Sequence, residues 1–281
     1  MQCRWAKSLG ELEGTHYEAW GTTEYMSRKK AAVFFGLYDM RDYLALLRHK
    51  GLKYILWAGS DIKNLANNFC FNDGKLKWVN NLFPLGTKWL KEYINQECIS
   101  YVETQAEAQV LSILGIQAKE IIPSFLGRKE NYKVSFKPSK TPHVYTSCSG
   151  NRQEEYGFSL IEAMAPRFPS TTFHLYGAKW ITRQPNIIVH GRVSKEVMNE
   201  ETKEMQGSLR LNSFDGFSEI TAKSILWGQY PATVVKQRKI THILHIDDLG
   251  EWLYDLSKKR KPNIEARNYY LKTLNNYPWA Q

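Results

Sequence analysis

One short segment of the sequence combines a tight turn with a helix start, a pattern that can bind an anion. Residues 212–219 read NSFDGFSE and follow an apolar run. Gly216 permits the turn, and Ser218 is a suitable N-cap for a helix that begins at Glu219. We expect the backbone amides of residues 217–219 to be exposed there, where the helix dipole favours a diphosphate. An ordinary capped helix without a ligand explains the same residues equally well.

Lys223 and Asp61 each leave two interpretations open. Lys223 lies one helical turn after Glu219, so its ammonium group could reach a phosphate or pair with Glu219 at i,i+4. Asp61 follows the apolar run at residues 52–57, where it could orient the hydroxyl group of an acceptor. The sequence favours a simpler role for Asp61, as the N-cap of a helix that begins at Ile62.

The sequence predicts neither a metal site nor a disulfide. The four cysteines lie far apart and form no CxxC pair, which favours free thiols in a reducing compartment. No Asp-x-Asp motif is present. Among the histidines, His174 lies within a strand pattern and is predicted to be packed, whereas His190 lies at a loop.

Both halves of the chain alternate between short apolar runs and amphipathic segments. In the first half, the apolar runs at residues 31–35, 52–57 and 99–102 alternate with helical patterns. Thr104 is predicted to cap a helix that Gly115 ends. The alternation resumes in the second half. This β-α-β-α order with short connections predicts mostly parallel sheets covered on both faces.

The sequence therefore predicts an α/β fold with two Rossmann-like lobes that face a cleft. The predicted divisions are an N-terminal lobe at residues 1–126, a polar linker at 127–142, a C-terminal lobe at 143–262 and a final helix at 263–281 that packs back on the N-terminal lobe. Ligands of open α/β sheets bind at the carboxyl ends of the strands, so the cleft is the predicted site. The first thirty residues show no clear period.

Several motifs of the second half occur together: YGFSLIEA at residues 156–163, FHLYG at 173–177, VHGRV at 189–193, DGFS at 215–218 and GQYP at 228–231. Together they resemble the donor-binding region of GT-B glycosyltransferases, especially the family-4 type. That family has an acidic residue before Gly-Phe-Gly, a second Glu eight residues after the first, and a Gly-x-Pro turn. The resemblance covers most of residues 143–235 and, more loosely, the βα rhythm of residues 31–125.

The resemblance implies an enzyme that moves a sugar from a nucleoside-diphosphate sugar to a hydroxyl group of a glycan, a lipid-linked or another acceptor. It implies a retaining, metal-independent reaction, an acceptor-side N-terminal lobe, and no cofactor besides the donor substrate, whether a UDP or a GDP sugar. Asp215 would hold a sugar hydroxyl, and Arg152 would neutralise the leaving diphosphate as the glycosidic bond breaks. The residues predicted to be catalytic are Asp215, Arg152 and Asp61. Those predicted to bind the donor are His190, Gly191 and Arg192 beside the base, Gly216, Phe217 and Ser218 at the diphosphate, and Asn212, Glu219 and Lys223.

The chain departs from the family pattern at several positions. Lys223 stands where the family has its second Glu, which usually holds the ribose, and Tyr156 stands where the family has Lys before Gly. Ribose binding would then pass to Glu219 or Glu162. The N-terminal lobe is short and lacks a glycine-rich loop after its first strand. A non-catalytic protein with this fold is therefore an alternative.

The charge balance admits a further alternative. The chain carries 38 basic and 28 acidic residues, a net charge of +10, spread over both halves. A basic surface attracts phosphorylated molecules, anionic membrane surfaces or nucleic acid. A protein that binds nucleic acid or another polyanion is one alternative, and a phage-type enzyme that glycosylates DNA would satisfy both hypotheses. The sequence lacks a long apolar run and a secretory signal, so we predict a cytoplasmic protein with contact to the inner membrane face as a further expectation.

Overall fold

The computed structural model describes residues 1–6, 14–67 and 84–280, and the chain forms two compact units. The first unit comprises Met1–Arg128, Phe214–Phe217 and Thr273–Gln281, and the second comprises Lys129–Ser213 and Ser218–Lys272. Most of the predicted linker groups with the second unit, and the end of the chain groups with the first. Within the described parts of the chain, no helix has the length and hydropathy needed to cross a bilayer.

The first unit is built on a six-stranded parallel sheet. Its strands are β1 (Gln2–Trp5), β2 (Thr23–Glu24), β3 (Ala32–Phe35), β4 (Lys53–Trp57), β5 (Cys98–Val102) and β6 (Ala118–Ile121), and its helices are α1 (Gly14–Ala19), α2 (Met40–Arg48), α3 (Ser60–Ala66), α4 (Pro84–Glu97) and α5 (Gln105–Ile113). The strand order is β2-β1-β3-β4-β5-β6, and every pairing is parallel. All four residues of β3 are buried, as expected for a strand covered on both faces.

The second unit repeats this plan. Its strands are β7 (His143–Ser147), β8 (Thr172–Tyr176), β9 (Ile187–Gly191), β10 (Gly207–Arg210), β11 (Ala232–Thr233) and β12 (Thr241–His242), and its helices are α6 (Phe158–Met164), α7 (Lys195–Thr202), α8 (Glu219–Leu226), α9 (Ile246–Leu256) and α10 (Ile264–Thr273). The order is β12-β11-β10-β7-β8-β9, all parallel. After β9 the chain returns to the other side of β7. The order therefore reverses between β7 and β10, and ligands of such sheets bind at the carboxyl ends of the strands at this point.

Local sequence signals set several helix ends as predicted. The Thr104 side chain accepts a hydrogen bond from the Glu107 amide while Glu107 bonds back to the Thr104 amide, which forms a capping box at the start of α5. Gly115 follows α5 with a φ of +81°, a backbone conformation that favours glycine. Helix α8 begins at Glu219, as predicted, and Ser218 occupies the N-cap position, but its side chain makes no capping hydrogen bond.

The two parallel sheets confirm the predicted α/β class and the two Rossmann-like lobes. The free thiols are also confirmed for Cys3, Cys98 and Cys148, whereas Cys70 lies outside the described residues. The sequence predicted nothing for the first thirty residues, although β1 is an inner strand of its sheet.

Candidate functional site

An arginine cluster lies at the carboxyl ends of the strands in the second unit. We define the cluster as Arg152, Arg192 and Arg210. Nη1 of Arg210, the last residue of β10, donates to the Ser147 carbonyl at 3.2 Å, so this side chain connects the ends of β10 and β7. Burial raises the pKa of the Cys148 thiol, while the positive charges of all three arginines act to lower it. The cluster therefore places positive potential where the strand order reverses.

A cavity of about 850 Å³ opens beside the ends of β8 and β9 in the same unit. It is lined by Asn151, Gln153, Gly177, Ala178, Lys179, Trp180, Ile181, Val189, His190, Gly191 and Arg192. The three residues predicted to flank the base, at positions 190–192, are thus together on its wall. Gly177 has a φ of +91°, and a Cβ there would lie 2.0 Å from the Cys148 carbonyl oxygen, so only glycine fits. This volume is typical of a small-molecule site.

The imidazole of His190 is engaged within the unit. Its Nε2 lies 2.9 Å from Nδ1 of His174, and its Nδ1 lies 3.2 Å from a carboxylate oxygen of Glu201. Its ring stacks on Tyr176 with centroids 4.1 Å apart. His174 continues the chain, with Nε2 at 2.8 Å from Nδ1 of His143. His190 therefore lines the cavity while its two ring nitrogens are engaged by His174 and Glu201, in a row of imidazoles that we call the histidine chain (His143, His174, His190).

Hydrogen bonding assigns the tautomers of the histidine chain. The Glu201 carboxylate accepts, so Nδ1 of His190 carries the proton. By the same reasoning, Nδ1 of His174 donates to His190 and Nδ1 of His143 donates to His174. Burial is the first cause that lowers the pKa of each of these three imidazoles, to about 3 for His174. The three neutral imidazoles are thus joined by two hydrogen bonds of consistent direction.

The amide expected to be exposed at Phe217 is not exposed. It donates to Oε2 of Glu103 at 2.8 Å within the first unit, and Phe217 is 7% exposed. A Cβ at Gly216 would lie 1.9 Å from the same oxygen, so this backbone approaches Glu103 as closely as glycine allows. The expectation of a free Phe217 amide is therefore wrong, because a carboxylate already occupies it. The donor-binding roles of Gly216 and Ser218 stay predictions.

Lys223 forms an ion pair with Glu219, which is one of the two roles that the sequence allowed for it. Its ammonium nitrogen lies 3.5 Å from Oε1 of Glu219, and the side chain is 8% exposed. Lys195 reaches the same oxygen at 3.4 Å. Burial lowers the pKa of Lys223, and the Glu219 charge acts against that shift. Asn212, two residues after the end of β10, is also buried.

Asp61 is a buried structural residue. Its carboxylate accepts hydrogen bonds from the amides of Leu37 at 3.2 Å, Ala58 at 3.1 Å and Ile62 at 2.9 Å, and its side chain has no solvent exposure. Burial raises the pKa of this carboxyl to about 6. These three amides give the buried carboxylate a structural role, and the expectation that Asp61 orients an acceptor hydroxyl stays a prediction. The N-cap prediction is wrong, since α3 begins one residue earlier, at Ser60.

Four carboxyl groups of the first unit interact electrostatically, namely those of Glu103, Glu107, Asp61 and Asp215. Burial raises the pKa of Glu103 and of Glu107 well above the ordinary value, and the charges of Asp61 and of the other members add to the shift. Asp215, predicted to hold a sugar hydroxyl, is one of the charges that raise the pKa of Glu103. In the described parts of the chain, no group of His, Cys, Asp and Glu has the arrangement of a metal site.

We expect Glu103→Gln to stabilise the protein at pH 8. The raised pKa means that the folded chain binds this proton more tightly than the unfolded chain, so stability falls as the pH rises from about 4.5 through the folded pKa. Glutamine still accepts from Phe217 and does not ionise. We therefore expect the variant to gain more unfolding free energy over the wild type at pH 8 than at pH 5. Urea unfolding at pH 8 and pH 5 measures it.

The exposed Glu120→Gln serves as the control for Glu103→Gln, and we expect its stability to follow the wild type at both pH values. An equal effect of Glu103→Gln at pH 8 and pH 5 would show that the Glu103 carboxyl does not titrate with a raised pKa.

The roles of Arg210 and Glu103 and the hydrogen bonds of the histidine chain were not predicted from the sequence. Arg210 is the last residue of β10, whose sequence GSLR contains a single aliphatic residue and is therefore a weak signal of a strand end. His143, His174 and His190 lie on three successive strands, a pattern visible only once the strand register is known.

No family model matches the chain, and no curated protein matches it by sequence. Solved structures match its fold. TarM from S. aureus is 13% identical with a TM-score of 0.56, over 88% of this chain and 51% of TarM. Anabaena HepE in complex with UDP and glucose is 12% identical with a TM-score of 0.52, over 86% and 77%. The α,α-trehalose 6-phosphate synthase of Burkholderia multivorans is 8% identical with a TM-score of 0.55, over 88% and 66%.

These structural matches show a shared fold, that of GT-B glycosyltransferases, and agree with the resemblance of the sequence motifs. The chain spans about half the length of TarM.

Proposed function

We propose that this chain is a glycosyltransferase that moves a sugar from a nucleoside-diphosphate sugar to a hydroxyl group of a glycan or lipid-linked acceptor. The observation that carries the proposal is the arginine cluster at the carboxyl ends of the strands, with Arg210 at the reversal of strand order and a cavity nearby at the ends of β8 and β9. The cavity is large enough for a nucleoside, and the arginines supply the charge that a diphosphate needs. HepE, which shares the fold, was solved with UDP and glucose, so UDP is the first probe.

The arrangement supports a reaction in which the protein stabilises the leaving group. Negative charge develops on the diphosphate as the glycosidic bond breaks, and guanidinium groups placed beforehand bind that charge most strongly. Arg152 is fixed for this role by Nε, which donates to the Ser149 carbonyl at 3.2 Å. Asp215 would orient the donor through a sugar hydroxyl. We propose a retaining reaction in which the positive charge comes from side chains, without a divalent metal and without a further cofactor.

We expect UDP or GDP to stabilise the protein against heat. A ligand that binds only the folded state at 100 times its Kd adds about 2.7 kcal/mol to the free energy of unfolding. Thermal unfolding with increasing UDP, GDP, uridine and guanosine measures this, and one diphosphate should have a larger effect than its nucleoside.

The absence of any stabilisation by either diphosphate would overturn the proposed function. If the protein then bound DNA or RNA with an affinity that falls steeply with salt, its basic charge would serve a polyanion-binding function instead.

A further inference from the structure

Two guanidinium groups converge on the phenol of Tyr156. Nη2 of Arg152 donates to the phenol oxygen at 3.0 Å, and Nη2 of Arg210 donates to it at 3.3 Å. Since both nitrogens bond the same atom, they are at most 6.3 Å apart. The guanidinium carbons lie 5.2 Å and 4.3 Å from the centroid of the Tyr156 ring, within the range in which a cation is attracted to an aromatic face. Tyr156 thus holds two like charges close together.

Backbone contacts hold both arginines at the reversal of strand order. Nη1 of Arg210 donates to the Ser147 carbonyl, and Nε of Arg152 donates to the Ser149 carbonyl, each at 3.2 Å. Tyr156 itself is 4% exposed, and the Ser149 hydroxyl lies 3.2 Å from its phenol oxygen. Donors that are already in place lose little conformational freedom when they bind a ligand.

This geometry suits a ligand with two adjacent negative groups. A guanidinium group presents several N–H donors in one plane and bonds phosphate oxygens in pairs. Arg152 also has a carboxylate neighbour, since Nη1 lies 3.7 Å from Glu155, but both of those side chains are more than one-third exposed. Water screens such an exposed pair, so a diphosphate can compete for Arg152.

We propose that Arg210 is a diphosphate-binding residue and that Tyr156 positions it beside Arg152. The inference rests on the proposed function, which uses the positive potential of the whole cluster but assigns contact with the leaving diphosphate to Arg152 alone. The resembling glycosyltransferases have a lysine at the position of Tyr156. In this chain, Arg210 brings a positive charge to that place from the neighbouring strand β10. Arg210 would touch the diphosphate directly, whereas Tyr156 acts through the two arginines.

We expect Arg210→Gln to weaken binding of the nucleoside diphosphate and not of the nucleoside. A hydrogen bond to a charged group contributes enough for a loss of about 10- to 100-fold in diphosphate affinity. Isothermal titration with UDP and GDP measures the diphosphate, and ligand-observed NMR at millimolar concentrations measures uridine and guanosine. Tyr156→Phe keeps the ring and removes the shared oxygen, so we expect a smaller loss in the same direction.

The matched control is Arg238→Gln, because Arg238 also lies over a tyrosine of this unit, 5.1 Å from the Tyr269 ring. It should leave both affinities unchanged. An Arg210→Gln protein that binds the diphosphate as tightly as the wild type overturns the inference and leaves the proposed function standing. Equal losses for diphosphate and nucleoside overturn it too, because they indicate structural damage. A wild-type protein that binds neither diphosphate overturns the proposed function itself.

A charge at position 156 should rescue the Arg210 variant. We expect Tyr156→Lys combined with Arg210→Gln to regain at least part of the lost diphosphate affinity, since the lysine returns a cation to the same place. If the double variant fails to unfold cooperatively, Arg210→Lys replaces it, and an affinity between those of the wild type and Arg210→Gln is expected. If Arg210→Lys bound the diphosphate as weakly as Arg210→Gln does, this result would contradict a role for the positive charge at position 210.

Discussion

Asp215→Asn should lower the rate of nucleoside diphosphate release from a nucleotide sugar by about 100-fold and leave the fold intact. A hydrogen bond from a sugar hydroxyl to a carboxylate contributes about 1.5–3 kcal/mol, and 2.7 kcal/mol in the transition state corresponds to about 100-fold in rate. Asparagine has the same size as aspartate. Its neutral side chain also removes one of the charges that raise the pKa of Glu103. We therefore expect the variant to keep the wild-type fold.

A panel of UDP and GDP sugars, assayed for diphosphate release with and without acceptor, measures the effect of Asp215→Asn. Asp255→Asn is the control, because Asp255 is exposed and pairs with Lys258 at 3.3 Å on another helix end. We expect this control to keep the wild-type rate. An Asp215→Asn protein with more than half of the wild-type rate would contradict the sugar-binding role, and a wild type inactive on the whole panel would contradict the activity.

The sequence predicted the two sheets because the inner strands are covered on both faces and read as apolar runs. The strand β1 was not predicted because two of its four residues are polar. Arg4 forms an ion pair with Asp42 at 2.8 Å, and Gln2 accepts from the amides of Met26 and Ser27 and so satisfies the loop before β3. These contacts come from residues far along the chain. An alternation of polar and apolar residues over four positions does not reveal them.

The site was predicted where chemistry is local and missed where it depends on distant residues. The start of α8 follows from Gly216 and Ser218, so a reader of the sequence can place it. The carboxylate on the Phe217 amide comes from Glu103, more than a hundred residues earlier. The position predicted for an anion is therefore taken by a carboxyl oxygen of the protein itself. In the same way, the second guanidinium group at the Tyr156 phenol belongs to Arg210. This residue ends β10, which pairs with β7.

Acidification should destabilise the protein through the histidine chain, and His174→Gln should reduce this effect. Burial first, and then the neighbouring imidazoles of His143 and His190, lower the pKa of His174 from 6.5 to about 3. The unfolded chain therefore takes up a proton below pH 6.5 that the folded chain does not bind. Stability is full above pH 6.5 and falls by about 1.4 kcal/mol per pH unit for this one proton, or about 2.7 kcal/mol by pH 4.5.

Glutamine at position 174 can accept from His143 and donate to His190 without a titratable group, so the difference in unfolding free energy between wild type and variant should shift by about 2.7 kcal/mol between pH 7.5 and pH 4.5. Urea unfolding across this range measures the shift, and the ring-proton NMR signals of His174 should keep their neutral positions down to about pH 4. The exposed His245→Gln is the control and should retain the acid dependence of the wild type. If His174→Gln and wild type lose stability in parallel, the folded chain accepts the proton at His174. The bond from His143 to His174 would then have to reverse, because an imidazolium can only donate.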